Sequence, residues 1–402
     1  MKIVFISNFM NHHQLTLCQS LYKLTDGNFT FGALTPVPKE RLDMGYHDMN
    51  KQYDFVLCAY ESEENHKRLI ELVKESDVLI VGGINSSRAD KYVKSHIGEG
   101  KITFQYLERI YKEGVWHILS PRGTKNMLKY HTAYRNDGVY ALCASAYTAW
   151  DLSLTRSYIN KTYKWGYFPI VNKYDVNELI SKKNENKKIS ILWVARLIEL
   201  KHPEAAINLA VRLKKSGYEF ELNIIGNGKM ESELAQMVKD KNLSDCVFMR
   251  GAMSPEAVRE YMESADIFLF TSDFNEGWGA VLNESMNSAC AVVASHAIGS
   301  VGFLIEHGKN GLVYKNGSDK SLLKCVKRLI DNPDFRKNLG ESAYQTMIEA
   351  WSPEQAAERL VNLSHLLLAG GEDSLYDSGP CSKALRIGNL KMYRVLTKNK
   401  KG

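Results

Sequence analysis

Short apolar runs rich in Val, Ile, Leu and aromatic residues alternate with longer amphipathic stretches along most of the chain. Runs at 2–7, 55–59, 78–82, 101–106, 138–144, 189–194, 219–225, 247–249, 267–271 and 291–294 read as strands, each followed by a polar loop that opens a helical pattern. A strand that is apolar at nearly every position must be covered on both faces. The rhythm therefore predicts an α/β protein built on doubly wound parallel sheets. It breaks between Pro169 and Lys188, where 181–188 is charged and poor in apolar residues. That break divides the chain into a domain over 1–170, a linker over 171–187 and a second domain over 188–350. Trp351-Ser352-Pro353-Glu354 then opens a helix with proline near its start, taken as 351–370, and a tail follows over 371–402. In such sheets ligands lie beyond the carboxyl ends of the strands, here expected in a cleft between the domains.

Length supports the division, since 402 residues exceed what one core usually organises. No apolar run approaches the roughly 20 residues that span a bilayer. The apolar start ends at Ser7 and reads as a strand, too short for the core of a signal peptide. Seven scattered cysteines, with no CxxC, are expected to be reduced and buried in a cytoplasmic protein. The net charge of +6 belongs to the tail, because 379–402 holds seven Lys or Arg and no Asp or Glu. The near-neutral body carries no field suited to nucleic acid. The mixed basic and apolar tail reads either as a peripheral contact with an anionic inner-membrane surface or as a self-packed terminus, with Gly388 interrupting any helix.

Three elements of the second domain carry chemistry. The run Asp273-Phe274-Asn275-Glu276-Gly277-Trp278-Gly279 follows a strand and precedes a helix that contains Glu284. Backbone amides at a glycine-opened helix start can approach a phosphate, and carboxylates accept hydrogen bonds from vicinal hydroxyls. Alone, two glutamates could equally lie on a solvated helix face. The strand at 189–194 leads into Arg196, with Lys201 following after four residues, a pairing suited to a pyrophosphate or to a plain surface turn. Third, Ile224-Ile225-Gly226-Asn227-Gly228 runs from a strand into a Gly-x-Gly turn.

In that order and spacing, these pieces resemble family 4 of the retaining glycosyltransferases, of bacterial polysaccharide-biosynthesis type. Phe248 through Gly251, Ala265-Asp266-Ile267 and Gly308-Lys309-Asn310-Gly311-Leu312-Val313 extend the likeness, which is close over most of 188–315. The resemblance implies the GT-B fold: two Rossmann-like domains facing a cleft, with the C-terminal helix crossing back to the N-terminal domain. It implies that Arg196 and Lys201 neutralise the diphosphate of a nucleotide sugar. Glu276 would grip the transferred sugar with the amides of Gly277, Trp278 and Gly279, and Glu284 would hold the ribose. Gly226, Asn227, Gly228, Arg250 and Gly251 would line the donor site. It further implies a hexose-type sugar, a saccharide or lipid-linked acceptor in capsule, O-antigen or exopolysaccharide synthesis, and retention of configuration. No Asp-x-Asp stands in the donor segments, so no metal or other cofactor is expected. The segment 287–291 lacks the Gly and Pro customary after the second glutamate.

The N-terminal half matches less well. Asn8 lies in a loop without the usual glycines, and Asn11 with Gln14 suits a helix cap that makes His12 and His13 first-turn residues. These, with Arg109, are expected on the acceptor side or in the cleft, although two exposed histidines would look the same. Where relatives place a histidine after the fourth strand, this chain offers Glu108, with His117 nine residues on, and Glu108 is taken for that region. Trp165-Gly166-Tyr167-Phe168-Pro169 is expected to shape the cleft. A GT-B sugar-nucleotide 2-epimerase, or a non-catalytic nucleotide-sugar-binding module, would share the architecture.

Overall fold

The computed structural model describes residues 1–39, 42, 47–112, 114–184, 188–371 and 373–398. Residues 185–187 of the expected junction and the last lysine-rich residues, 399–402, lie outside these. The chain divides into two compact units: 1–170 with 351–387, and 171–350 with 388–402.

The first unit is built on seven strands: β1 (Ile3–Ser7), β2 (Phe29–Ala33), β3 (Val56–Cys58), β4 (Val78–Gly82), β5 (Ile102–Leu107), β6 (Val139–Cys143) and β7 (Thr162–Lys164), in the order β3-β2-β1-β4-β5-β6-β7. Every pairing is parallel, with Ile3 beside Phe29 on one side and Val78 on the other. β1 and β4 are buried at every position, as covered faces require. Helix His12–Leu24 is capped by the Asn11 side chain, which accepts from the amide of His13, and Asn11 Nδ2 donates to Gln14. It packs on helix Pro353–Leu368, which starts at the Ser352 cap and belongs to this unit. The tail is not loose here. Lys164 donates its amide to Ser382, and Cys381 and Ala384 donate theirs to Lys164 and Thr162, which seals the outer edge of β7.

The second unit carries six strands: β8 (Ile189–Val194), β9 (Phe220–Ile225), β10 (Val247–Gly251), β11 (Ile267–Phe270), β12 (Ala291–Ser295) and β13 (Leu312–Tyr314), in the order β10-β9-β8-β11-β12-β13. All its pairings are parallel too, with Ile191 beside Ile267. Strand order reverses beside β1 in one sheet and β8 in the other, and at such switch points the loops diverge and leave room for a ligand.

Three strands, β2, β7 and β13, escape the sequence pattern. Two of them have only three residues, and β2 contains Gly32, where a side chain would collide with Leu69. The charged stretch read as a junction contains a helix, Val176–Asn184, whose Leu179 and Ile180 pack against Tyr344 of the second unit. Its Lys183 is buried and donates to the carbonyls of Met262 (2.9 Å) and Ala265 (2.7 Å) at the end of helix Pro255–Ser264. Burial presses its pKa down from the usual lysine value. Gly388, expected to break a helix, caps one instead: Asn389–Thr397 packs Met392 into the second unit and sets the Tyr393 ring edge-on to His296 at 5.3 Å. Among the described residues no helix is long and apolar enough to cross a membrane.

Candidate functional site

The loops after β8 and β11 meet at the switch point of the second unit. Thr271, which follows β11, takes a hydrogen bond from the Trp193 indole (2.8 Å) and donates to the Lys201 carbonyl (2.6 Å). The amide of Asp273 donates to the carbonyl of Leu200 at 3.0 Å. These bonds bring Lys201 to Glu276, 75 residues apart in sequence, and the two form an ion pair. Their side chains are only 14% and 12% exposed, and Ser272 Oγ adds a second contact, to Glu276 Oε2 at 3.0 Å. Arg196 differs: it is exposed and its side chain has no partner among the described residues. The site thus holds one cation already matched by a carboxylate and one open to an incoming anion.

The Gly-x-Gly turn explains how the Arg196 loop is held. Gly226 has φ +138°, and a Cβ there would stand 1.9 Å from the Ala195 carbonyl oxygen. Gly228 is equally tight against Leu197. Leu197 donates its amide to Asn227 (2.7 Å), so Gly226, Asn227 and Gly228 form a backbone seat beneath the loop that presents Arg196. Arg250 sits in a bulge of β10, donating Nε to Asn223 (2.8 Å) with its guanidinium 4.8 Å from the Phe248 ring. Gly251, in the left-handed region, accepts from the amide of Gly226 at 2.8 Å.

The helix after the glycines spans Val281–Asn287, and Glu284 lies in its first turn. Burial raises the Glu284 pKa, and Arg259 pulls it the other way. Arg259 donates to the Glu284 carbonyl, Asn287 and Ser288 and so ties down the helix end. Trp278 is core: it is 1% exposed and its indole donates to Asn283 at 2.9 Å. Any donor contact from it would be through its backbone. Gly279 has φ +80°, and a Cβ would strike the Phe270 ring.

Spacing did not single out His202. It adopts φ +51°, with Nδ1 2.7 Å from Glu204 and Nε2 3.3 Å from Asp273, so it pins the start of the Glu276 loop. The Glu204 bond leads the effects that raise its pKa.

In the first unit, Asn8 Nδ2 donates to the carbonyl of Gly83, joining the loops after β1 and β4. The His12 and His13 rings lie 3.7 Å apart, and His13 stacks on Tyr167 at 5.6 Å. The Tyr167 hydroxyl donates to Glu108 Oε1, and Lys112 Nζ donates to Oε2 at 2.6 Å. Glu108 therefore joins the histidine pair through Tyr167, while His117 stacks on Trp116 at 3.8 Å. Arg109, expected on the acceptor side, is 4% exposed. It sits 3.8 Å from Asp151 and over the Tyr147 ring, while Asp151 takes the amides of Ile110 and Tyr111. Burial depresses the Arg109 pKa and raises that of Asp151, and the pair braces the loop after β5. Lys112 was visible as the i+4 partner of Glu108, whereas the Tyr167 contact, 59 residues away, left no local signal.

Residues 175–346 match the family model described as glycosyl transferases group 1. The chain is 26% identical over 205 residues to a poly(ribitol-phosphate) alpha-N-acetylglucosaminyltransferase of Staphylococcus aureus strain COL, covering 48% of this chain and 41% of that protein. It is 36% identical over 149 residues to the amylovoran biosynthesis glycosyltransferase AmsK of Erwinia amylovora, covering 36% of each. The match thus spans about two fifths of the length of these curated relatives. The crystal structure of Anabaena Alr3699/HepE in complex with UDP superposes with a TM-score of 0.65 at 15% identity, over 90% of this chain and 99% of that one. The fold is GT-B, two parallel-sheet α/β units with strand orders of the doubly wound kind.

Proposed function

We propose that the chain is a retaining, metal-independent glycosyltransferase that moves a hexose-type sugar from a nucleoside diphosphate sugar to a saccharide or lipid-linked saccharide. The observation that carries this reading is the meeting of Lys201 with Glu276 beside the exposed Arg196, in loops that leave the switch point of the second sheet. The group 1 match over 175–346 spans all three, and two relatives named for glycosyl transfer support the reaction class.

On this reading the ground-state ion pair is exchanged when donor binds. Lys201 turns to the diphosphate, where Arg196 joins it with a forked guanidinium, and the freed Glu276 accepts hydrogen bonds from sugar hydroxyls. Glu284 takes the ribose hydroxyls. As the bond between the anomeric carbon and the phosphate oxygen breaks, charge grows on the leaving diphosphate, and fixed cations are most effective at that point. The acceptor oxygen attacks from the same face, and its proton passes to the departing phosphate oxygen. Among the described residues no group of three or more His, Cys, Asp or Glu could hold a metal ion, and in this scheme Arg196 and Lys201 supply the positive charge.

Release of nucleoside diphosphate from a panel of UDP-, GDP- and ADP-sugars, with and without saccharide acceptors, tests the reading. Arg196→Ala and Lys201→Ala should each lower turnover roughly a hundredfold or more, and a chelator should leave it intact. Near-wild-type turnover by either variant would remove the diphosphate assignment. Donor consumed with inversion at C2 and no transfer would point to the epimerase.

We also assign the enzyme to the cytoplasmic face of a membrane in cell-surface polysaccharide synthesis. The tail helix supports this, with Leu390 99% exposed beside Lys391 and Arg394.

A further inference from the structure

The turn that carries Glu276 is held from a side that the donor scheme does not use. Residues Asp273 to Glu276 form a tight turn, closed by the Glu276 amide on the Asp273 carbonyl at 3.2 Å. His202 holds its first residue, Asp273. Its second, the half-buried Phe274, meets the His296 ring at 5.5 Å with the planes at 87°. His296 follows β12 and is itself buried. Its amide donates to the Tyr314 carbonyl and its Nδ1 accepts the amide of Asn316, both at 3.0 Å, so backbone at and beyond the end of β13 sets the ring. A further ring meets it there: Tyr393 of the helix Asn389–Thr397 lies 5.3 Å away at 65°. Met392 seats that helix, 2% exposed, and the Tyr393 hydroxyl lies 3.5 Å from Ser321 Oγ. The chain leaves the second unit after Ala350, gives 351–387 to the first and returns with this helix. Leu390, Lys391, Arg394 and Val395 face solvent, so its hold rests on few side chains, Met392 and Tyr393 among them.

We propose that His296 and Tyr393 are positioning residues for Glu276: the returning helix straps the His296 ring against Phe274 and so fixes the turn from which Glu276 reaches the transferred sugar. Edge-on ring pairs are directional, and each is worth roughly two- to tenfold in an equilibrium. Neither residue has to touch a ligand, since a small displacement of a positioned group is enough to slow a reaction. Arg196 is held by a different seat, the turn after β9, so loosening the strap spares diphosphate binding and costs the sugar chemistry. The role of Glu276 in this scheme rests on the transferase reading; the strap does not.

Full-chain Tyr393→Ala, Tyr393→Phe and Met392→Asp test this in two measurements. Hydrogen exchange of the free protein should quicken roughly two- to tenfold at the amides of 273–279 in Tyr393→Ala and Met392→Asp, with the amides of β8 and β9 unchanged. Tyr393→Phe keeps the ring and should exchange like wild type. The second measurement takes the nucleotide sugar that wild type hydrolyses best among the UDP-, GDP- and ADP-sugars. There kcat should fall by a similar factor in Tyr393→Ala and Met392→Asp and hold in Tyr393→Phe, while calorimetric affinity for the matching nucleoside diphosphate does not weaken. Leu390→Ser with Val395→Ser, exposed on the same helix, should match wild type in both measurements in vesicle-free buffer. A role confined to overall stability would instead quicken exchange across β8 and β9 and weaken nucleotide binding together with kcat. That pattern overturns the proposal, as does loop exchange or kcat left unchanged by Tyr393→Ala, or a Tyr393→Phe variant as impaired as Tyr393→Ala. A wild-type chain that hydrolyses none of the sugars removes the transferase reading, and the exchange measurement then decides the strap by itself.

Discussion

The arrangement of Lys201 and Glu276 sets the behaviour of the proposed donor site one residue at a time. Two groups expected to face a ligand satisfy each other in its absence, so binding must repay a partly buried ion pair before gaining anything. Such pairs are worth up to about 1 kcal/mol. Glu276→Gln releases Lys201 from that competition. We expect it to bind nucleoside diphosphate as well as wild type or up to about fivefold tighter by calorimetry, while sugar transfer is largely lost. Weaker diphosphate binding would mean that Glu276 orients Lys201 instead of competing for it. Among the described residues Arg196 has no such internal partner, and Arg196→Ala should lose affinity and turnover together.

Elements place these residues through backbone contacts that tolerate no side chain. The turn after β9 supports the loop after β8 only because Gly226 and Gly228 allow carbonyl oxygens closer than any Cβ permits. Gly226→Ala must adopt φ +138° and displace the Ala195 carbonyl. We expect a loss of about 1–3 kcal/mol in denaturant unfolding and a fall in turnover resembling that of Arg196→Ala, because the loop that carries Arg196 moves. Unaltered stability would show that the turn can shift freely. Element types and order were legible in the sequence where the apolar run was long, as at β1, β4, β8 and β11. The Asn11 cap was legible as well. The helix Val176–Asn184 was not, because Lys183 reads as solvent-facing until the carbonyls that receive it are known.

At the scale of the whole molecule, buried histidines link stability to pH. His96 lies between the Ser76 carbonyl (3.0 Å) and the Thr103 hydroxyl (2.8 Å), and burial lowers its pKa to about 4; His131 and His296 are lowered to about 4 by the same cause. The unfolded chain, titrating near 6.5, then binds more protons than the folded one between these values. Stability is therefore full above about pH 6.5 and declines as pH falls toward about 4, by roughly 3 kcal/mol for each such histidine. His202, raised by Glu204, has the opposite sign: its contribution is present below the unfolded value and is lost as pH rises through the folded one. Three sites outweigh one. The urea midpoint should drop between about pH 7 and about pH 5, and His96→Gln should make that drop shallower. A midpoint independent of pH over this range would contradict the burial of these rings.

From the sequence alone came two parallel-sheet domains and the loops after β8 and β11 as candidate site segments, because alternation and short spacings record which face of an element is covered and which residues share a loop. Only the tertiary structure joined Lys201 to Glu276 and Tyr167 to Glu108, and buried Arg109 against Asp151. Those outcomes depend on which loops the sheet order brings together and on which side chains the packed core leaves outside. A local period carries neither.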